Sequence, residues 1–409
     1  MKQTSKFLGA VLLISGTTIG AGMLALPTIT GFGGFFPALF QLFFVWIFML
    51  ATAFLYLEAN IAYKDETNLI SMADRTLGKW GKVVTWIAYL LLMYSLNAAY
   101  IAGSAGFFSS FFFSIFKTQM PAWAAPLPLL IFFSIFIYLG SKSADYLNRF
   151  LMAGLVITYL ILAFFVPNNI DLNLIYHFDF KASFIAVPVI VTSFGYHIII
   201  PTLTTYLDHD KKKLQYAIIV GSIIPLIFYL VWEMITLGII PLSGADSLTT
   251  SYIKGEGGAG PLVVTLTNVL NKPWIAKAAT SLTFFTIITS FMGVSLSLTD
   301  FLRDGLKIKK SHSGRFIACI LTFLPPLIFV YANPRGFMLA LQYAAIFVVI
   351  ILCIMPALMT WTLPKPCKFN SFWGRTLIIA VLVISTYIIA MDIAEEAGLL
   401  QKLIAKYVK

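Results

Sequence analysis

The apolar residues of this chain come in long blocks separated by short polar joints. A helix needs about 20 predominantly apolar residues to cross the hydrocarbon of a bilayer. Blocks near that length run over residues 6–29, 33–62, 83–114, 123–141, 146–167, 183–207, 214–241, 275–301, 315–332, 337–361 and 375–392. They predict eleven transmembrane helices and an all-α polytopic membrane protein. The stretch Gly257–Leu270 reads either as a short helix between the seventh and eighth spans or as a loop.

Composition narrows the class further. Of 409 residues, 59% are hydrophobic and 11% charged, and the mean hydropathy is +0.90. Soluble proteins carry about 25% charged residues, so this chain cannot cover a surface with charge. A soluble enzyme, a disordered chain and a secreted disulfide scaffold are excluded. The net charge of +11 has no long basic cluster behind it, the longest run being Lys211-Lys212-Lys213. Basic loops drawn to anionic lipid explain the excess better than nucleic acid does. Cys319, Cys353 and Cys367 lie in or beside apolar blocks, with neither metal-ligand nor paired spacing. The segment Met1–Ala10 is basic then apolar, as in a signal peptide. The apolar run continues to Pro27 without a small-x-small cleavage site, so it reads as a retained first span. With the N-terminus inside, nineteen of the 28 lysines and arginines fall on the inner side and nine on the outer. The positive-inside rule therefore puts the N-terminus in the cytoplasm, and an odd number of spans leaves the C-terminal tail outside.

Two spans are interrupted. The first contains Gly16, Gly20 and Gly22 ahead of Pro27, and each glycine costs about 1 kcal/mol of helix propensity. Non-helical backbone survives in lipid only where protein or a water-filled cavity satisfies it. The expected result is a helix broken near the midplane, whose second half begins with free N–H groups suited to a carboxylate. The other reading is a close-packing face made by Gly16 and Gly20. The sixth span repeats the pattern in Val187-Pro188-Val189-Ile190-Val191-Thr192-Ser193-Phe194-Gly195-Tyr196-His197-Ile198-Ile199-Ile200-Pro201. Pro27 follows Gly20 by seven positions, and Pro201 follows Gly195 by six. Paired interruptions at matching places point to an inverted-repeat transporter. The repeats would be residues 1–167 (spans one to five) and 183–361 (spans six to ten), with 375–409 holding the eleventh span and an external tail.

The segment Gly16-Thr17-Thr18-Ile19-Gly20-Ala21-Gly22-Met23-Leu24-Ala25-Leu26-Pro27 resembles the signature of the hydroxy/aromatic amino acid permeases, within the amino acid–polyamine–organocation superfamily. The likeness is strongest to the tyrosine and tryptophan permeases. Met93-Tyr94-Ser95-Leu96-Asn97-Ala98-Ala99-Tyr100-Ile101, Ser193-Phe194-Gly195-Tyr196-His197 and Thr289-Ser290-Phe291-Met292-Gly293-Val294 match as well. The resemblance implies a leucine-transporter type fold with helices one and six broken. It also implies residence in a bacterial inner membrane and ion-coupled amino acid uptake, usually driven by a proton. Tyrosine or tryptophan is the expected substrate, with serine or threonine and sodium coupling as the alternative.

An amino acid presents a carboxylate, an ammonium and a side chain. The carboxylate would take the N–H groups of Gly20, Ala21 and Gly22, and the ammonium the carbonyls freed near Gly16, Thr17 and Ser193. Thr18 and Gly195 belong to the same unwound segments. Neither break holds an aspartate, so backbone dipoles must serve, which favours a zwitterion. In the third span Met93, Asn97, Tyr100 and Ser104 share one helical face. Asn97 or Tyr100 can meet a phenol or indole polar atom there, and Phe194 can stack on a substrate ring or gate it. The same stripe can equally serve helix packing. Thr286, Thr289, Ser290, Gly293 and Ser297 share a face of the eighth span, and in sodium-coupled relatives of this fold a pair like Thr289 and Ser290 lies near the cation. Ionisable residues inside a membrane are functional candidates by default. Glu58, Glu233 and His197 are therefore coupling candidates, against plain structural roles as a helix cap or a partner for loose carbonyls.

The charged segments 208–213 and 300–304 can latch an inner gate or simply follow the positive-inside rule. No metal cluster, paired nucleophile and base, channel-filter repeat or ATP-binding loop is found in the sequence. The expectation is a secondary transporter without cofactor, nucleic acid or obligate protein partner.

Overall fold

The computed structural model describes all residues except 1, 21, 64–67, 140, 254–264, 267, 271, 310, 334–335, 365–367, 400, 406 and 408–409. Ala21 and most of Gly257–Leu270 therefore lie outside the described residues. Every element among those described is helical. Among the described residues, nine helices are long and apolar enough to cross a membrane: Phe35–Ile61, Leu69–Phe116, Tyr146–Phe165, Phe180–Tyr206, Lys211–Leu237, Pro273–Gly305, His312–Ala332, Leu339–Thr362 and Phe372–Glu395. A bent pair, Lys6–Thr18 and Gly22–Thr30, turns by 53° and makes the broken first span.

The expected fourth span, 123–141, is shorter than the sequence suggested. Only the 13 residues Leu127–Leu139 are helical there, roughly 20 Å at 1.5 Å per residue, against a hydrocarbon core of about 30 Å. Pro121 and Pro126 bracket the turns that precede this helix, since proline lacks the N–H that would extend a helix backward. The third helix is longer than predicted, 48 residues, because a segment ahead of the crossing joins it across a kink at Gly78 (φ 71°). Asn68 starts that segment by accepting the Ser71 N–H at 2.8 Å. In the tenth span a π-helical turn, Val349–Ile354, precedes Met355–Thr362. Pro356 stands at the start of that last piece and cannot donate into the regular ladder.

The spans sort into two packing groups. The first, second, sixth and seventh pack together; the third, fifth, eighth and ninth form the other group, and the tenth lies between the third and the sixth. The eleventh covers the tenth. Apolar side chains such as Phe164 and Phe132 point outward, as lipid-facing residues must.

The ends of the sixth span identify the two faces of the molecule. Beyond one end, Lys6 at the start of the first span pairs with Asp208 (2.9 Å). At the other, the Tyr407 hydroxyl near the C-terminus donates to Asp179 (3.0 Å) and its ring lies 6.1 Å from Phe32. The described terminal segments thus sit on opposite faces.

Candidate functional site

A cavity of about 800 Å³ opens between the two packing groups. The first span contributes Gly9, Leu12, Leu13 and, at the break, Gly16 to Gly20 and Gly22; the sixth adds Thr192, Ser193 and Gly195. The facing wall is Met93, Leu96 and Tyr100 from the third span, Asn148, Arg149 and Met152 from the fifth, and Thr289, Ser290 and Gly293 from the eighth. The cavity opens toward the N-terminal face, where Leu12 and Leu13 are exposed. Toward the other face, Met23 through Thr30 are all buried and close it.

Both predicted interruptions are present. The first helix stops at Thr18 and resumes at Gly22. Ile19 N–H still donates to Ser15 (2.9 Å), and Met23 N–H reaches back to the Gly20 carbonyl (3.0 Å). The sixth stops at Ser193, and Phe194 leaves the helical region (φ −102°, ψ 27°). A 3-10 turn, His197–Ile199, then leads into Ile200–Tyr206.

The two breaks touch. A Cβ on Gly22 would lie 2.6 Å from Ser193 Oγ, and one on Gly20 would lie 2.9 Å from Ser290 Oγ. Only glycine admits these approaches, so the glycines that interrupt the first helix also let the sixth and eighth spans close on it.

The hydroxyls around the cavity turn back on their own helices. Thr17 donates to Leu13 (2.7 Å), Thr18 to Ile14 (2.7 Å), Thr192 to Pro188 (3.1 Å) and Ser193 to Val189 (2.8 Å). Thr289 likewise donates to Phe285 (2.8 Å). What these hydroxyls offer a ligand is oxygen lone pairs, which suit an ammonium. Donors for a carboxylate are offered by backbone N–H groups at the start of Gly22–Thr30, where a helix leaves such groups unpaired, and by the side chains of Asn148 and Arg149 in the lining.

Of the residues the sequence singled out for substrate, Gly16, Thr17, Thr18, Gly20, Gly22, Tyr100, Ser193 and Gly195 line the cavity, and so do Thr289 and Ser290. Tyr100 and Ser290 are hydrogen-bonded to each other within the facing wall. Asn97 and Phe194 are placed elsewhere. Asn97 is fully buried between the third and eighth spans and accepts the Ser295 hydroxyl at 2.7 Å. Phe194 sets its ring edge-on against Tyr229 at 5.2 Å, behind the wall.

The three ionisable candidates also lie outside the cavity. Glu58 pairs with Lys211 across the ends of the second and seventh spans. His197 is fully buried with Nε2 2.9 Å from Thr52 Oγ1. The Thr52 hydroxyl also lies 2.9 Å from the Met49 carbonyl, so its one hydrogen serves that carbonyl or Nε2 according to the tautomer of the ring. Glu233, 1% exposed, has Oε2 2.7 Å from Thr30 Oγ1, at the closed end of the first span. Thr30 has one hydroxyl hydrogen and a second acceptor, the Leu26 carbonyl at 2.9 Å. The hydroxyl donates to the carboxyl and shares its one hydrogen with that carbonyl.

Outside the membrane, Asp210 accepts Lys213 N–H at 3.1 Å and caps the seventh span. Its side-chain and backbone bonds to Lys213 hold the carboxyl below the ordinary range. The carboxylate contribution to the cap is thus complete above that range and lost as pH falls through the lowered value.

Two features escaped sequence reasoning. Arg149, read there only as an inner-side charge, is the one formally charged residue among the described lining residues. Tyr229, in the middle of the seventh span, contacts both breaks; a phenol in an apolar span needs a partner, but its spacing named none.

The profile of the tryptophan/tyrosine permease family matches residues 3–392. The chain belongs to that family. This permease is 31% identical over 406 residues to "Tyrosine-specific transport system 1" of Haemophilus influenzae, covering 97% of this chain and 98% of that one. It is 30% identical to the "Tryptophan-specific transport protein" of Shigella flexneri, with 93% of each chain covered. It is 29% identical to the "Low affinity tryptophan permease" of Escherichia coli K12, with 94% of each covered. Among solved structures, MhsT in complex with L-phenylalanine superposes with a TM-score of 0.59 at 12% identity, covering 94% of this chain and 97% of that one. A manganese transporter mutant from Eremococcus coleocola superposes at 0.63 and 12% identity, covering 98% and 91%. These likenesses show the leucine-transporter type fold. The permease is a multi-pass membrane transport protein and not an enzyme.

Proposed function

We propose that this permease imports an aromatic amino acid, tyrosine or tryptophan, by proton-coupled symport with alternating access. The observation that carries the reading is the contact of Gly22 with Ser193 at the head of an otherwise largely apolar cavity. The substrate carboxylate goes to the backbone N–H groups leading Gly22–Thr30, and its ammonium to the carbonyls around Gly16, Thr17 and Ser193. Its ring goes against Met93, Leu96 and Met152, with Tyr100 at the polar tip. The names of the relatives, tyrosine-specific and tryptophan-specific, support an aromatic substrate.

Spans one to five and six to ten form inverted repeats, with Leu127–Leu139 counted as the fourth span and Phe372–Glu396 appended as the eleventh. The group made by spans one, two, six and seven rocks against the other around the cavity. The N-terminus is cytoplasmic, so the cavity described here is the inward-open side. Glu233 carries the coupling proton, since it is a buried carboxyl bonded to Thr30, which ends the half-helix that closes the outer side. One observation favours a second reading: Thr289 and Ser290 face the break at Gly20, where a sodium ion could be held.

Uptake of labelled tyrosine and tryptophan into proteoliposomes decides between them. With sodium absent, an inward gradient of one pH unit should support about tenfold accumulation at one proton per substrate. Accumulation that follows sodium and ignores the pH gradient would overturn the proton reading. Transport of neither amino acid would overturn the aromatic one.

A further inference from the structure

The seventh span brings one side chain to the back of both breaks. Tyr229 is fully buried, and its hydroxyl lies 2.7 Å from the Thr18 carbonyl oxygen and 2.8 Å from that of Ser193. These two residues end the helical segments Lys2–Thr18 and Val187–Ser193. A helix leaves its last carbonyls without an intrahelical donor. Here two such carbonyls, from the first and sixth spans, turn to a single phenol.

A phenol has one hydrogen. It is shared between the two carbonyls or given to one at a time, so among the described residues the junction stays one donor short. The ring cannot shift to favour either side, because Phe194 packs edge-on against it at 5.2 Å and 71°. Thr18 and Ser193 line the cavity and Tyr229 does not, so the hydroxyl acts from behind the wall. On the cavity side the nearby hydroxyls have spent their hydrogens on their own helices, Thr18 on Ile14 and Ser193 on Val189. A ligand in the cavity can supply the missing donor.

We propose that Tyr229 is a positioning residue for the substrate ammonium, holding the carbonyl-bearing ends of both interrupted helices at one spacing while an N–H of the amino group supplies the donor they lack. This rests on the amino acid reading above. It assigns the amine arm of recognition to a side chain that never touches the substrate.

The test compares wild type with Tyr229→Phe, which removes one oxygen and keeps the ring, in proteoliposomes at matched insertion. KM for labelled tyrosine should rise about tenfold, the effect of losing one hydrogen-bond arrangement. The maximal rate per inserted transporter should stay within about twofold, as for a loss confined to binding. Inhibition by 3-(4-hydroxyphenyl)propanoate, the same molecule without its amine, should be unaffected. An unchanged KM overturns the assignment, and so does a parallel loss of rate or of propanoate inhibition, which is what a packing role would give. If Tyr229→Phe does not insert, 3-fluorotyrosine in place of Tyr229 keeps ring and hydroxyl and makes the hydroxyl a stronger donor. KM must then shift while propanoate inhibition stays constant, and an unshifted KM again overturns the assignment. Wild-type protein that carries a different amino acid fails the aromatic reading alone, and Tyr229→Phe is then scored with that amino acid and its deaminated counterpart.

Discussion

Asn97 shows how far a helical stripe can be trusted at the scale of single residues. Met93 and Tyr100, seven apart, differ by about 20° around a helix of 3.6 residues per turn, whereas Asn97 is turned about 60° from Tyr100. That rotation carries it off the cavity wall and onto Ser295 of the eighth span. Periodicity names the face, but the partner helix decides which side of the face meets the cavity. Asn97→Ala should therefore leave the ranking of aromatic competitors unchanged. It should lower stability by about 1–3 kcal/mol, the usual cost of a buried polar group left without its partner, read as a lower thermal midpoint in detergent. A changed ranking would return Asn97 to the pocket. Gly16, Gly20 and Gly22 were legible because a glycine's effect on its own helix is local. The contacts of Gly22 with Ser193 and of Gly20 with Ser290 were not, since they join segments far apart in the chain.

Among elements, the positions of most spans could be read from apolar length alone, and the two interruptions from glycine and proline. The fourth came out shorter than its apolar block because apolar content does not show that prolines keep the first residues of 123–141 out of the helix. The ionisable candidates depended on what lies across from each helix. Glu58 meets Lys211 at a membrane edge, where such pairs are worth about 0–1 kcal/mol. Glu233 meets a hydroxyl whose single hydrogen has two claimants. Glu233→Gln should abolish accumulation driven by a pH gradient while preserving exchange of substrate across the membrane. Glu58→Gln should keep gradient-driven accumulation within about twofold of wild type, as expected of a weak edge pair. Both are read in the same proteoliposomes; gradient-driven accumulation by Glu233→Gln at the wild-type level would remove Glu233 from the coupling step.

For the whole molecule, the consequential fact is that the two interruptions meet at the boundary between two packing groups, with a cavity open on one face and closed on the other. Hydropathy could count the spans but could not bring Gly22 to Ser193. Valine at position 22 would drive Cβ into the Ser193 hydroxyl and spread the breaks apart. The decisive measurement is counterflow of labelled tyrosine and tryptophan into proteoliposomes holding equal amounts of inserted wild-type or Gly22→Val protein. Rapid exchange by wild type, with exchange by Gly22→Val no faster than into empty liposomes, is the expected result; exchange by Gly22→Val at the wild-type rate would mean that the meeting of the two breaks is not where the substrate binds.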